Sequence, residues 1–457
     1  MRTTARGRAV EILLAWRKIA APPIIPQHDA PLWEKLSPSD RALAFDLIHG
    51  VIRWRNTLQC VTQSLLTRPF DRLDPHVQTL LLVGMYQLLM CDGIADYAAI
   101  DTTVELAKHY PPALRAGGLI NAVLRAAQRL MLEIEDRGDL SADAFPLDYH
   151  RQVRLAKPVF PDPKADLPGH LAMAISHPLM LVRSMFTWMD VKTVVPVLIA
   201  DNARPVIAVR ADDPAYTPPA GLGLLAHKQK GYYLAIHGWS PALAREISLG
   251  FLSPQDPTSG KAAGMLACLL HGKSGPSAPV ILDLCAGMGT KAMQLAKLVP
   301  TGKLIAADID EGKLEQLMIR AQQLQVTTVE TRKSSMLTEK MKFDAVLVDV
   351  PCSNTGVLAR RVQARWRWPS LDVPAMQKTQ LALLTQAAEM AAPGGVMVYS
   401  TCSIDPAENN LLIDAFLASQ TGKSWQKADE FKALPTHTDM ASMNRDGGYA
   451  CGLRRIG

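Results

Sequence analysis

The sequence predicts an α/β protein, with a doubly wound parallel sheet in its C-terminal part, preceded by an all-α bundle and a small α+β connecting domain. Three observations carry this. Apolar residues recur every three to four positions from Arg6 to about Leu130. From Ala278 onward short apolar runs alternate with longer amphipathic ones. A glycine-containing turn between an apolar run and an amphipathic stretch opens that second pattern at 285–291.

Over residues 1–132, stretches such as RALAFDLIHGVIRWRNTLQCVTQSLL and HVQTLLLVGMYQLLM keep helical spacing with almost no alternation, which predicts the bundle. Residues 133–170 break into charge and proline and read as a linker. Residues 171–275 mix the helix-like HPLMLVRSMFTWMD with the strand-like PVIAVRA and GYYLAIHG, a small α+β domain. In 276–457 the strand candidates are PVILDLC, KLIAADID, TTVETRK, FDAVLVDVP and GGVMVYSTC.

The 457 residues suffice for two to four domains, and a net charge of +6 leans toward a polyanionic partner. Seven scattered cysteines without a C-x-x-C pair argue against a disulfide framework and against a zinc site. The first residues interrupt their apolar positions with Arg and Glu, and TLLLVGMYQLLM is too short to span a bilayer. We expect a cytoplasmic monomer with no membrane partner and no metal.

Cys285, Ala286, Gly287, Met288, Gly289, Thr290 and Lys291 form a turn between strand and helix whose glycines let backbone N–H groups approach a ligand. Asp308, 21 positions beyond Gly287, stands where a carboxylate grips ribose hydroxyls. The same loop satisfies G-x-G-x-x-A through Ala292, so an NAD-dependent oxidoreductase is also open.

Cys352 and Cys402 each follow the carboxyl end of a strand candidate, in Pro-Cys-Ser and Thr-Cys-Ser corners. If those strands are neighbours, about 4.8 Å apart, both thiols reach one substrate. Asp405, Pro406 and Glu408 predict a capping-box helix start whose positive end would favour thiolate at Cys402. Asp349 is placed to share a proton with a bound base. The stretch LARRVQARWRWPS offers Arg360, Arg361 and Arg365 with Trp366 and Trp368, a pattern suited to phosphate contact and base stacking in RNA. Spacing does not rank the two thiols.

A thiolate, a cofactor loop and a carboxylate suit methylation of cytosine at C5. Thiolate addition at C6 turns C5 into an enamine carbon able to attack an electrophilic methyl.

DLCAGMGTK, DVPCSNTGV and YSTCS resemble the successive motifs of the Sun-type family of RNA cytosine-5 methyltransferases. DRALAFDLIHGVIRW, LLLVGMYQLL and GLINAVLR resemble the NusB-like RNA-binding domain of the bacterial branch of that family acting on small-subunit ribosomal RNA. SHP at 176–178, PQDPTSG at 254–260 and DGGYACGLRR are similar to its connecting region and final strand.

The resemblance implies a Rossmann-like sheet, S-adenosylmethionine as cofactor and small-subunit ribosomal RNA as substrate. It implies Cys402 as nucleophile, Cys352 as the residue that helps resolve the adduct, and Asp349 in contact with cytosine and cofactor. Residues 285–291 would line the cofactor pocket, with Asp308 on the ribose. Related DNA enzymes use the Pro-Cys cysteine, which leaves Cys352 as the alternative nucleophile.

Two departures stand out. The loop is Ala286-Gly-Met-Gly-Thr-Lys291 where the family has Ala-Pro-Gly-Gly-Lys, and Ser334 and Ser335 stand where the family has an adenine-binding Asp. A noncatalytic RNA-binding or assembly factor is the alternative these departures raise.

Overall fold

The computed structural model describes residues 4–17, 33, 35–271, 277–438 and 440–456. The chain forms two compact units, Met1–Ala203 with Leu358–Ser370, and Arg204–Val357 with Leu371–Gly457.

The first unit is built on the helices Ala5–Trp16, Pro38–Arg53, Arg55–Gln63, Pro75–Met90, Asp96–Ala107 and Gly117–Leu130. Pro75–Met90 is the core helix. Asp74 caps it by accepting from His76 N, Pro75 supplies a preset φ, and every residue from Val77 to Met90 is buried. That uniform burial explains a sequence apolar on all sides. Strands β1 (Met131–Asp136), β2 (Ala144–Pro146) and β3 (Arg151–Leu155) follow as an antiparallel sheet in the order β1-β3-β2. The stretch read as a linker therefore carries a sheet. Its edge strand β1 is largely exposed, with Leu132 at 60%, so no clean alternation marks it.

The second unit opens with a four-stranded antiparallel sheet of β4 (Ile207–Ala211), β5 (Leu224–Ala226), β6 (Tyr232–Ala235) and β7 (Leu252–Pro254), ordered β5-β6-β4-β7. The expected boundary at 275–276 lies outside the described residues.

The larger sheet comprises β8 (Val280–Asp283), β9 (Lys303–Asp308), β10 (Val329–Lys333), β11 (Phe343–Asp349), β12 (Ala391–Thr401), β13 (Trp425–Ala433) and β14 (Gly448–Arg455). Their order is β10-β9-β8-β11-β12-β14-β13, the first five parallel, β14 antiparallel to β12 and β13 antiparallel to β14. Both faces are covered, which is why the central strands read as continuous apolar runs. Ile281, Ala345, Leu347 and Val398 pack with the helices Lys261–Leu270 and Thr290–Leu298. Leu282, Val346, Val348 and Tyr399 pack on the other side with Val373–Met390 and Asn410–Ala418. This is the expected doubly wound sheet, preceded in the chain by a helical bundle. The strand order reverses between β8 and β11, the switch point outside which α/β sheets bind ligands. Among the described residues no helix is long and apolar enough to cross a membrane.

Candidate active site

The loop after β8 is built for close approach. Gly287 and Gly289 have φ of 55° and 80°, in the left-handed region. At Gly289 a Cβ would lie 2.0 Å from Leu317 Cδ1, so a side chain there would force the buried Leu317 to shift. At Gly287 it would meet nothing within 4 Å, so the loop leaves open space beside that backbone. Asp308, at the end of β9, accepts from Gly287 N at 2.8 Å through one oxygen and from Asp310 N at 2.9 Å through the other. The acid thus shapes the loop and retains lone pairs for a further donor. Thr290 begins the following helix, Met288 is 61% exposed, and Cys285 and Ala286 are half-buried. Ser334 is half-buried just past β10.

Lys291, in the first turn of that helix, reaches Asp349 at the end of β11, with Nζ 2.6 Å from Oδ2. The other Asp349 oxygen accepts from the Ser400 hydroxyl at 2.7 Å. Asp349 and Ser400 are register partners on neighbouring parallel strands, so the strand adjacency expected for the two thiols is present. Burial alone would lower the Lys291 ammonium, but the ion pair and hydrogen bond with Asp349, then the fields of Cys402 and Asp283, carry its pKa above the ordinary value.

Beyond these strand ends Cys352 Sγ and Cys402 Sγ lie 2.9 Å apart. They are not equivalent. Cys402 is half-buried and lines a cavity of about 40 Å³ together with Lys291, Asp349 and Ser400. Cys352 is buried, and its thiol pKa is pushed well up by its hydrogen bond to Cys402, by burial, and by repulsion from Cys402 and Glu408. Asn354, at φ 64°, turns its Oδ1 to 3.5 Å from Cys402 Sγ.

The helix start expected after Cys402 is corrected. Asp405 does cap, accepting from Ala407 N at 2.9 Å, but Pro406–Glu408 makes only one 3-10 turn. The α-helix begins at Asn410, after Asn409 leaves helical backbone at φ −117° and ψ −111°. A single turn supplies little dipole field, whereas the Lys291 ammonium interacts electrostatically with Cys402. Glu408 does not close a capping box. Fully buried, it accepts from Ser353 N and Gln380 Nε2 at 2.9 Å each, from Ser403 Oγ at 2.6 Å and from Ser353 Oγ. One carboxylate thereby joins the two Cys-Ser corners. The corner at Cys352 is also clamped by Gly356, whose N–H donates to Cys402 O at 2.9 Å and where a Cβ would lie 2.6 Å from Gly447 C.

Sequence reasoning missed this role of Glu408, and it missed Asp283 altogether. Asp283, at the end of β8, is 1% exposed, and among the described residues no hydrogen bond of good geometry reaches either carboxylate oxygen, the Cys285 N–H being its weak backbone neighbour. Burial, then Asp349, raises its pKa to about 7, with Lys291 opposing. An acid closing a fully apolar strand is its only signal in the sequence.

The arginines of the 358–370 segment separate. Arg361 is exposed and Arg360 half-buried. Arg365 is 1% exposed, and its guanidinium donates to Asn202 Oδ1 at 2.5 Å, Asp201 O at 2.7 Å and Ser176 O at 3.2 Å. An RNA contact by Arg365 is therefore corrected to an internal strut, because the side chain is buried and both of its terminal nitrogens are held by buried acceptors.

The left-handed glycines, the open space at Gly287 and the acid at Asp308 fit a nucleoside-bearing cofactor. A family model described as 16S rRNA methyltransferase RsmB/F matches residues 270–443, and the NusB family model matches residues 3–129. Ribosomal RNA small subunit methyltransferase B of Vibrio cholerae is 30% identical over 399 residues, covering 84% of this chain and 82% of that protein. The protein of the same description from Salmonella arizonae is 28% identical over 401 residues, covering 85% and 84%. The crystal structure of PH0851 superposes with a TM-score of 0.70 at 15% identity, over 100% of this chain and 99% of that one, a likeness of fold. The chain belongs to the RsmB/F methyltransferase family, as a NusB domain joined to an S-adenosylmethionine-dependent methyltransferase fold.

Proposed function

We propose that the protein methylates C5 of a cytosine in RNA, small-subunit ribosomal RNA being the substrate, through a covalent adduct between Cys402 and C6. The observation that carries this is the unequal thiol pair: Cys402 faces Lys291 and Asp349, whereas Cys352 sits behind it with its proton held.

S-adenosylmethionine, when bound, supplies an electrophilic methyl group. Residues 285–291, Asp308 and Ser334 are the groups proposed to hold it, with Asp349 beside it. Coulombic attraction is mutual, so the Lys291 ammonium favours a thiolate at Cys402. That thiolate adds to C6 and the ring becomes nucleophilic at C5. Asp349, oriented by Lys291 and Ser400, contacts the base. After methylation the C5 proton leaves to a base, the C6–S bond breaks, and its electron pair returns to Cys402. Cys352, whose sulfur lies 2.9 Å from that of Cys402, is the group proposed to donate a hydrogen bond to the departing sulfur and so to assist release. Arg360 and Arg361 are the proposed RNA contacts of the 358–370 segment.

The intact loop geometry supports the catalytic reading over a noncatalytic assembly factor. Incubation with radiolabelled cofactor and unmethylated small-subunit RNA is expected to label cytosine. No cytosine label, under conditions where cofactor binds, would contradict the reading.

A further inference from the structure

The helical unit holds a cavity of about 200 Å³ that the proposed chemistry does not use. Trp16 and Arg17 reach it from the end of the first helix, Arg55 and Gln59 from the helix Arg55–Gln63, and Trp366 from the 358–370 segment. Its size is below the roughly 300–1,000 Å³ typical of drug-sized ligands, which suits one planar ring system.

Three features define what it would take. The Arg55 guanidinium lies over the Trp366 ring, 5.2 Å from the centroid, and Trp366 Nε1 fixes that ring by donating to Ile52 O at 2.8 Å. A guanidinium plane held this way is a stacking platform for a base. Trp16 Nε1 is buried without a hydrogen-bond partner among the described residues, a donor that calls for an acceptor. Among the described residues the lining carries two cations and no acid, and Arg17 is steadied by Gln78 Oε1 at 2.6 Å. Burial, then repulsion from Arg17, lowers the Arg55 pKa, so an entering anion relieves the pair.

We propose that this cavity binds one unpaired nucleotide of single-stranded RNA, its base stacked on the Arg55–Trp366 pair, its edge accepting from Trp16 Nε1 and its phosphate beside Arg17. The inference rests on the reading of RNA as substrate and not on the methyl-transfer chemistry. A lining with a stacked cation and no acid favours this occupant over an apolar peptide.

The test uses the full chain without cofactor, so its outcome stands apart from whether methyl transfer occurs. A short fluorescent single-stranded oligoribonucleotide carrying one 4-thiouridine is titrated against wild type, Trp16→Ala, Trp16→Phe, and the double variant Arg17→Gln, Arg55→Gln. Trp16→Ala removes the donor to the base edge and leaves its acceptor unpaired in the cavity, so binding is expected to weaken roughly 5- to 150-fold. Trp16→Phe, which keeps a ring and loses the donor, is expected to weaken binding several-fold. The double variant is expected to lower the salt slope by about 0.7 for each phosphate that is no longer neutralised. Photocrosslinks are expected on peptides containing residues 13–17, 55–59 or 366. Wild-type binding by all folded variants, crosslinks elsewhere, or displacement by polyglutamate as effective as by RNA would overturn the proposal.

Discussion

The sulfurs of Cys352 and Cys402 lie 2.9 Å apart although 50 residues separate them. The contact follows from the parallel register that sets Asp349 beside Ser400, and Glu408 then ties Ser353 to Ser403. The thiols are neighbours because the sheet and one buried carboxylate hold their corners together.

Replacing Lys291 with Met removes the cation facing Cys402. Alkylation of Cys402 by iodoacetamide at neutral pH is expected to slow severalfold as its thiolate population falls. Its pH profile should move upward. An unchanged profile would show that Lys291 does not act on the thiol.

Glu408→Gln keeps shape but replaces a charged acceptor among four donors by an amide. Hydrogen bonds to charged groups are worth roughly 1.5–3 kcal/mol each, so urea denaturation should show a loss of at least that size. A loss below about 0.5 kcal/mol would be that of an ordinary surface change and would deny the joining role.

Much of the site is legible in the sequence, and the exceptions have physical causes. Sheet strands announce themselves because burial on both faces demands apolar runs, and the thiol pair because its corners repeat. Lys291 and Asp349 are 58 positions apart, so only the fold pairs them. Glu408 reads as a local cap because Asp405-Pro406-Ala407-Glu408 has the spacing, while the decisive donors lie some 50 residues upstream. Arg365 looks solvated in a basic run; the buried backbone carbonyls that bind it carry no sequence signature.

Asp283 gives a stability signature in pH. Its folded pKa of about 7 exceeds the 3.8 of an ordinary Asp, so between these values the native state binds more protons than the unfolded one. Its contribution is fully present below about 4 and is lost as pH rises through 7. Thermal unfolding from acid to neutral pH should therefore show a smaller decline, or a steeper rise, in Asp283→Asn than in wild type. Parallel curves would refute the assignment.

The two loop glycines should separate on substitution. Gly289→Ala places a Cβ 2.0 Å from Leu317 in left-handed backbone, and overpacking of this kind costs roughly 1–3 kcal/mol besides the conformational penalty. At Gly287 the same change carries about 1 kcal/mol of backbone strain, with open space for the methyl. Calorimetric titration with S-adenosylmethionine should find weakened binding in both, with a marked fall in melting temperature only for Gly289→Ala. Equal melting losses would contradict the packing argument.

The most direct measurement of the central claim is the covalent RNA adduct formed by the two cysteine variants, read as an RNA-shifted band and mapped by mass spectrometry. Cys352→Ala is predicted to accumulate an adduct through Cys402, and Cys402→Ala to form none. An adduct through Cys352 in the Cys402→Ala protein, with none in Cys352→Ala, would contradict the account.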